Sequence, residues 1–447
     1  MSATDLIHAA LDRLGEGVVV LRDTHSQNVR WANSQVTTNG DMWSTNLTVI
    51  AAQPVAKGTG VAVMSGQVAD PPEAAALADQ ALTAAAESTD SDRADLIDAG
   101  TDAGFEDSAP PLEHSTPERM VRALGVFLDA RTPQFGYAEA TRSTTYLATT
   151  AGTRHRHVQD QFRFEASARD ASGSTWWGTN TWQAPFRDAA AQQTRDLAVQ
   201  RSRQSLDPGR HPVILTPGAV ADLLIYLAWS ASGRDAVEGH NVFAKPGGGT
   251  RIGDSLTQRA VTLFADPGYE GLQSATSVVV EANSSMDSVF DNGMALGRQA
   301  LITDGQLTSL RASRPTGERF GLPPVYLTDN LIMTDDQGHG SLADLIARTN
   351  EAVLINCLWY IREVDPQNLL LTGLTRDGVY RVRNGTVVAG LPNFRFNVAV
   401  PDLLHRIADA SATVNCLPRE WADWFTRTAM PALLIDGFNL SSASDAR

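Results

Sequence analysis

Residues 213–233 read VILTPGAVADLLIYLAWSASG. The stretch opens with a short β-rich run, turns at a Pro-Gly pair, continues apolar for about three helical turns and stops at Ser-Gly. This pattern predicts a strand that leads directly into a helix. From Leu223 to Trp229 the helix carries no acid, no base and no metal ligand. A helix in this place is a natural carrier of catalytic groups, yet this one has none.

The chain that follows this helix is predicted to be rich in β-structure. From His211 onward it contains a few helical segments among many short β-rich runs. Asp-Gly pairs at 304–305 and 377–378 and the Asn-Gly pair at 384–385 predict three β-hairpins, because these dipeptides favour the tight turns that join antiparallel strands.

Two smaller units precede this β-rich part. Residues 1–90 combine an amphipathic helix, four β-rich runs and a helix that begins at two prolines, which predicts a compact α+β domain. The run 87–118 holds ten acidic residues against one Arg and predicts an acidic linker at 91–118. Residues 119–205 form a middle α+β segment, and 206–447 form the C-terminal β-rich domain. The predicted class is therefore α+β.

The composition of the 447-residue chain narrows its function classes. With 43 % hydrophobic residues the chain can bury real cores, and its net charge of −15 repels phosphate backbones and anionic lipids. Nucleic acid and membrane surfaces are therefore not expected as partners. Two isolated thiols, Cys357 and Cys416, fit a reducing cytoplasm. The polar N-terminus predicts no signal peptide, and Asp222 interrupts the most apolar helix, so a soluble cytoplasmic protein is expected.

Familiar catalytic motifs are missing from the sequence. No HExxH, GxSxG or Walker pattern is present, and Lys245 precedes its glycines, which predicts a flexible loop. His155 and His157 would share one face of a strand, where they could chelate a metal or simply form an exposed face between two arginines. Glu238 and His240 are two residues apart, a spacing that does not build a helical metal site.

An aromatic cluster lies near the C-terminus in the segment REWADWFTRTAMP. Its members are Trp421, Trp424 and Phe425. Their spacing is that of a buried helix face, so packing in a core or interface is favoured over a ligand-binding box. From the residues alone no catalytic constellation is assembled, although sites often form from residues distant in sequence.

The order of several longer segments resembles the TldD/PmbA family, which contains modulators of DNA gyrase and peptide-maturation peptidases. The resemblance covers essentially the whole chain. It is carried by VRWANSQVTT (29–38), KGTGVAVMSG (57–66), VILTPGAVADLL (213–224), NLIMTDDQGHGSLADLIART (330–349) and LLLTGLTRDGVYRVRNGTVVAGLPNFRFNV (369–398). The closing LPREWADWFTRTAMPALLID is similar to an actinobacterial branch of the PmbA, or TldE, type. The family's fold implies an N-terminal sheet-and-helix domain followed by a large, antiparallel, barrel-like β domain.

The resemblance gives the opening helix a meaning. In the catalytic TldD-type subunits this helix carries HExxxH, and a cysteine near the C-terminus completes a zinc site. Here Ile225 and Ser230 stand at the two histidine positions and Tyr226 at the glutamate, and only Cys416 lies near the region of the family's cysteine. The resemblance therefore implies a degenerate motif, with no zinc and no catalytic residue in this chain.

The implied function is that of a TldE/PmbA-like subunit in a heteromeric metallopeptidase that processes or degrades small unfolded peptides. A TldD-like partner would bring the zinc, and the chain alone would form a homodimer. Asn393, Arg395 and Asn397 alternate with Phe394 and Phe396, which puts the polar residues on one strand face as a candidate substrate groove or as a solvated surface. Two alternatives remain: a self-sufficient peptidase with an unrecognised metal site, and a non-proteolytic peptide-binding module.

Overall fold

The computed structural model describes residues 2–56, 58–88, 93–128 and 132–444. The first two residues of the predicted linker, 91–92, and residues 129–131 of the predicted middle segment lie outside these described residues. The described chain is a mixture of helices and three extended sheets, which confirms the predicted α+β class.

The first sheet has six antiparallel strands in the order β3-β2-β1-β4-β5-β6. The strands are β1 (Glu16–Ala32), β2 (Gln35–Val55), β3 (Gly58–Gln67), β4 (Gln134–Thr149), β5 (Arg154–Asp170) and β6 (Gly173–Thr179). The prediction of four β-rich runs before residue 70 was wrong, because there are three longer strands. The chain turns inside the second run, at Asn33 and Ser34, which both have positive φ.

Four helices cover one face of this sheet. They are α1 (Ala3–Leu11), α2 (Pro71–Ala86), α3 (Thr116–Leu128) and α4 (Phe186–Gln200). Alternation along β1 directs Val19 and Leu21 toward α1 and α2, and Val29 and Trp31 toward α3 and α4. The intervening residues Val18 and Val20 therefore face the opposite side, where they pack against Val289 and Phe290 of the C-terminal part.

This sheet contains strands from both the predicted N-terminal domain (1–90) and the predicted middle segment (119–205). The segment predicted as an acidic linker runs beside it, and from residue 93 onward it is described. Phe105 and Leu112 of this segment are buried in the cores beneath the helices. Leu112 donates its backbone N–H to Nδ1 of buried His25 at 2.9 Å. Hydrophobic burial and this hydrogen bond hold the acidic segment against the sheet.

The C-terminal part begins with a closed barrel of five strands. They are β7 (Gly209–Leu215), β12 (Glu351–Asp365), β13 (Leu370–Arg383), β15 (Asn393–Ala399) and β19 (Leu433–Ser444). The pairings β12–β7, β7–β19, β19–β15, β15–β13 and β13–β12 close the ring. Strands β14 (Thr386–Gly390) and β16 (Ile407–Ala410) pair with β13 and β19 outside it. The barrel confirms the fold class that the family resemblance implied.

A second six-stranded sheet, in the order β10-β9-β8-β11-β18-β17, completes this part. Its strands are β8 (Val261–Ala265), β9 (Gln299–Thr303), β10 (Gln306–Leu307), β11 (Leu331–Asp335), β17 (Val414–Cys416) and β18 (Thr428–Met430). The helices are α5 (Pro217–Trp229), α6 (Gly233–Val237), α7 (Arg314–Phe320), α8 (Leu342–Ala347) and α9 (Val400–His405), with a 3-10 turn at Val289–Asp291. Helix α5 packs against β12 and β18, so it joins the barrel to this sheet.

Two of the three predicted hairpins are present. The pair at 304–305 joins β9 to β10 and the pair at 384–385 joins β13 to β14, each with positive φ at both residues. The pair at 377–378 lies inside β13, so that prediction was wrong. There Asp377 and Gly378 face the single residue Asn356 of β12 and form a bulge, and pairing resumes on both sides with the same partner strand.

The predicted helix in the segment 421–425 is also not formed. These residues make a turn, and Trp424 is 80 % exposed while Trp421 and Phe425 are half-buried. The segment is held instead by Asp222 of α5. Nε1 of Trp421 donates to the backbone carbonyl of Asp222 at 2.8 Å, and the backbone N–H of Glu420 donates to Oδ1 of Asp222 at 3.0 Å.

None of the helices in the described ranges is both long enough and apolar enough to cross a bilayer.

Candidate functional site

A cavity of about 1270 Å³ lies between the first sheet and the C-terminal part of the chain. Strands β1, β4 and β5 form one wall, and the end of α5 forms another. The segments 275–282, 293–296 and 326–331 complete it. A cavity of this volume exceeds the range of about 300–1000 Å³ that is usual for small-molecule sites, and can therefore receive a ligand of several residues.

The wall contributed by α5 is apolar. Ile225, Ala228 and Trp229 all line the cavity, since residues three and four positions apart share one face of a helix. The opposite face of α5 is buried, with Leu223 and Leu227 in the largest hydrophobic core. The local sequence explains the placement, because an apolar run without charges can be covered on nearly every side.

The three degenerate-motif positions have different surroundings. Ile225 borders the cavity, while the hydroxyl of Ser230 donates to the carbonyl of Tyr226 at 2.9 Å. The ring of Tyr226 is half-buried beside Trp421, and its hydroxyl interacts with Glu363; burial raises the pKa of this phenol. An aliphatic side chain, a phenol and a hydroxyl bonded to its own helix do not fit a catalytic zinc, which requires imidazole, thiolate or carboxylate ligands.

Cys416 does not supply a ready ligand either. It is buried, its Sγ lies 3.4 Å from the hydroxyl of Thr428, and burial raises the pKa of the thiol to about 12. Cys357 is also buried, and burial raises its pKa well above the ordinary value. Both sulfurs are therefore neutral thiols shielded from solvent at physiological pH, whereas the thiolate is the form that binds metals.

A buried carboxyl group lies one turn before Ile225 on the same helix. Asp222 has no exposed surface, and within the described ranges its Oδ2 lacks a hydrogen-bond partner, although Oδ1 accepts from the backbone N–H of Glu420. Burial raises the pKa of this group well above its usual range, so the folded environment favours its neutral form. Sequence reasoning treated Asp222 only as an interruption of an apolar run; an acid in such a run is the signal that could have identified it.

The walls opposite α5 are polar and their charges are paired. Arg22 of β1 contacts Glu281 at 2.6 Å, Arg311 contacts Asp287 at 2.9 Å, and Arg427 is paired with Asp329. Pairing cancels most of the formal charge of the cavity. Asp329 is half exposed to the cavity, and burial by the surrounding protein raises its pKa although Arg427 acts in the opposite direction.

His155 and His157 lie on β5 and both line this cavity. They share a strand face, as predicted, but the face is half-buried and turned to the interior of the molecule. Nε2 of His157 lies 3.0 Å from Oε1 of Gln159, which also lines the cavity. The pair is therefore available to a ligand in the cavity rather than to bulk solvent alone.

The segment 275–282 is extended and pairs along one edge with residues 292–296. Val278 donates its N–H to the carbonyl of Met294 at 2.8 Å and accepts from Gly293 at 3.0 Å, while the carbonyl of Thr276 accepts from Leu296 at 2.7 Å. Alternation therefore turns the backbone groups of Ser277 and Val279 to the other edge. That edge belongs to a segment that lines the cavity.

The predicted groove residues lie elsewhere. Phe394 and Phe396 are buried inside the barrel, and Asn393, Arg395 and Asn397 lie on the outer face of β15, as alternation requires. Asn393 borders a small pocket of about 160 Å³, and none of the three is among the described residues that line the large cavity. A role for this face in substrate binding stays a prediction.

A group with the chemistry of a metal site occurs at α6. Ligand atoms of Asp235, Glu238 and His240 all lie within 4.8 Å of one another. The turn after α6 produces this arrangement, because the N–H of His240 donates to the carbonyl of Asp235 at 2.7 Å. Arg234 lies 3.4 Å from Glu238 and competes with a cation for it. The sequence spacing of Glu238 and His240 had excluded only a helical site.

Comparisons with known proteins agree with this architecture. The family model described as the PmbA/TldA metallopeptidase C-terminal domain matches residues 208–442, more than half of the chain. The chain belongs to the TldD/PmbA family. No curated protein matches it.

Solved structures are similar to the chain over almost its full length. TldE from Thermococcus kodakarensis has a TM-score of 0.77 and 13 % identity, covering 98 % of this chain and 99 % of the other. A candidate modulator of DNA gyrase from Thermotoga maritima has a TM-score of 0.73 and 16 % identity, with 98 % of both chains covered. Another from Bacteroides thetaiotaomicron has a TM-score of 0.75 and 12 % identity, also with 98 % of both chains covered. At these identities the likeness concerns the fold.

Proposed function

We propose that this chain is a TldE-type, non-catalytic subunit of a heteromeric metallopeptidase, in which it forms part of the chamber that holds a small unfolded peptide. A zinc-bearing, TldD-like subunit would supply the chemistry. The observation that carries the proposal is the combination of a large interior cavity with a motif helix whose cavity face is apolar. This chain's own residues would bind and orient the peptide and exclude water from it.

The chemistry of α5 supports the non-catalytic part of the proposal. Ile225 and Ser230 offer no imidazole and Tyr226 no carboxylate, so the helix cannot hold zinc or a general base in the way that peptide hydrolysis requires. Cys416 is a single buried thiol, and without the two imidazoles it cannot by itself hold a catalytic zinc. A zinc ion in the complex would therefore be bound by the partner.

The cavity supports the peptide-binding part. One edge of the segment 275–282 is hydrogen-bonded to residues 293–296. The backbone N–H and C=O groups of Ser277 and Val279 point to the opposite edge of this segment, which lines the cavity. An extended peptide can add to such an edge through backbone hydrogen bonds, which depend little on its sequence. This mode suits a chamber that takes unfolded chains and excludes folded ones.

Metal content and peptidase activity test the proposal directly. The chain is purified alone and after mixing with a TldD-like relative that carries HExxxH. We expect cleavage of an unstructured peptide and about one zinc per pair only in the mixture, because one catalytic site of three protein ligands and an open position holds one ion. Size-exclusion chromatography with light scattering should show a homodimer alone and a one-to-one complex in the mixture. A mixture in which the relative lacks its motif glutamate is the control, and it should bind zinc without cleavage.

A self-sufficient peptidase is the second candidate, and the group at α6 is the observation that favours it. It predicts stoichiometric metal in the chain alone and chelator-sensitive cleavage that is lost in Glu238→Gln and His240→Ala. That outcome would overturn the subunit proposal. Peptide binding without cleavage in any mixture would instead identify a non-proteolytic binding module.

A further inference from the structure

We infer that the cavity selects peptides that carry a large apolar side chain, which the end of α5 receives. The inference rests on the proposed function, because it assigns a substrate preference to the same cavity. The receiving surface consists of Ile225, Ala228 and Trp229 of α5 with Leu327 and Phe425, and it is called the α5 wall. Every member of the α5 wall is apolar, and all of them line the cavity.

Trp229 is the most informative member of the wall. Its side chain is 37 % exposed, whereas the neighbouring helix residues Leu227 and Ala228 are almost completely buried. The exposed ring is nevertheless held in place, since it meets Trp421 edge to face at 5.0 Å and lies 6.4 Å from Tyr226. Trp421 is fixed in turn by its 2.8 Å hydrogen bond to the carbonyl of Asp222. A ring fixed before binding loses little conformational entropy when a ligand covers it.

The remaining walls decide what kind of ligand fits. The charges of Arg22 and Glu281 cancel each other, as do those of Arg427 and Asp329, so these pairs offer no unpaired charge to a charged side chain. The desolvation penalty of a ligand charge buried there would exceed the electrostatic attraction that it gains. Polar backbone groups lie along 275–282, and apolar surface lies on the α5 wall. A ligand with amide groups along its backbone and an apolar side chain matches both surfaces.

Equilibrium binding to the purified chain tests the inference. Two fluorescein-labelled octapeptides, identical except for Phe or Ser at a central position, are compared by fluorescence anisotropy. We expect the Phe peptide to bind at least about tenfold more tightly, the order of discrimination that apolar pockets achieve. In Trp229→Ala this preference should fall to less than about threefold, with the Ser peptide unaffected. Trp43→Ala, which removes a tryptophan that is 58 % exposed on β2, is the matched control and should retain the full preference.

Photo-cross-linking of the unaltered chain gives a second measurement that does not depend on a variant. The central Phe is replaced by benzoylphenylalanine, and cross-linked peptides are mapped by mass spectrometry. We expect cross-links at the end of α5 and around Phe425. Equal binding of the Phe and Ser peptides, or cross-links confined to other surfaces, would overturn the inference and leave the peptide chamber intact. If neither peptide binds, the chamber proposal fails as well.

Discussion

At the residue scale, the buried carboxyl of Asp222 is the least expected feature of the chain. An ionisable group without exposed surface and with one oxygen unpartnered costs stability unless it is neutral. Its pKa is raised in the folded protein, so the fold holds this proton more tightly than the unfolded chain does. Folding then takes up a proton, and stability falls as pH rises from the ordinary Asp pKa to the raised one.

Replacing this group tests that account. In Asp222→Asn the side chain keeps its shape and an acceptor for the N–H of Glu420, but it no longer titrates. We expect a gain on the order of 1 kcal/mol at pH 7, which raises Tm by about 1 °C in a chain of this length, and no gain below about pH 3.5, where the Asp is largely protonated in both states. Thermal unfolding from pH 3 to 8 measures this. Asp207→Asn, at an exposed position, should show no such pH-dependent gain.

The two thiols allow a second prediction at this scale. Cys357 and Cys416 are buried, and burial raises the pKa of both. Because thiolate is the reactive form, Ellman's reagent should label neither cysteine in the folded chain at pH 8, and both should react within seconds in denaturant. Rapid labelling of one cysteine in the native chain would contradict the buried placement and would reopen its role as a metal ligand.

At the scale of elements, α5 divides into a structural face and a cavity face. Leu227 is fully buried in the largest core, so Leu227→Ala should destabilise the chain by about 2–5 kcal/mol. Trp229, two residues further, is partly exposed to the cavity, and Trp229→Ala should cost less than Leu227→Ala, about 1–2 kcal/mol, mainly from the lost packing on Trp421. Urea unfolding of the two variants measures the difference. Equal costs would mean that the exposed ring of Trp229 is part of the core after all.

The bulge in β13 offers a test of backbone geometry. Gly378 has φ of 124°, and an added Cβ would lie 2.8 Å from Cβ of Asn356. We expect Gly378→Ala to destabilise by more than about 1 kcal/mol, because both the conformation and the space exclude a side chain. Gly125 lies within α3 with open space around it, and Gly125→Ala should instead stabilise by about 0.5–1 kcal/mol. Chemical denaturation of both variants checks the opposite signs.

Local sequence signals predicted elements well where local interactions decide them. The strand before Pro217, helix α5 and the turns at 304–305 and 384–385 follow from apolar runs and turn dipeptides. The pair at 377–378 has the same composition as a hairpin turn, but β13 continues to pair with β12 on both sides of it. Trp421 is likewise positioned by a hydrogen bond to α5, about 200 residues earlier, rather than by helical periodicity. In both cases contacts with residues distant in the sequence, rather than local sequence patterns, determine the conformation.

At the scale of the whole molecule, no sequence motif predicted the position or lining of the cavity. Its walls come from β1, from β5 and from segments beyond residue 275, and only the folded chain brings Arg22 beside Glu281. The residues predicted as a groove on β15 are not among the described residues that line the cavity, and their role in substrate binding stays a prediction. Strand alternation assigns residues to faces, but it does not assign faces to cavities. The motif positions on α5 could be identified from the sequence, because the family resemblance assigns Ile225, Tyr226 and Ser230 to them.

The cavity exists only if the first sheet and the C-terminal part remain packed together. Phe290 is fully buried between them, against Val18 and Val20 of β1. Phe290→Ala should cost about 3–5 kcal/mol, and hydrogen exchange should accelerate both in β1 and in the segment 275–296. Phe127 of α3 is equally buried, but it lies in the core between the first sheet and its helices. In Phe127→Ala the faster exchange should therefore be confined to the first sheet and its helices. If Phe290→Ala accelerates exchange on one side only, the two parts are stable independently, and the cavity between them would open and close without unfolding either.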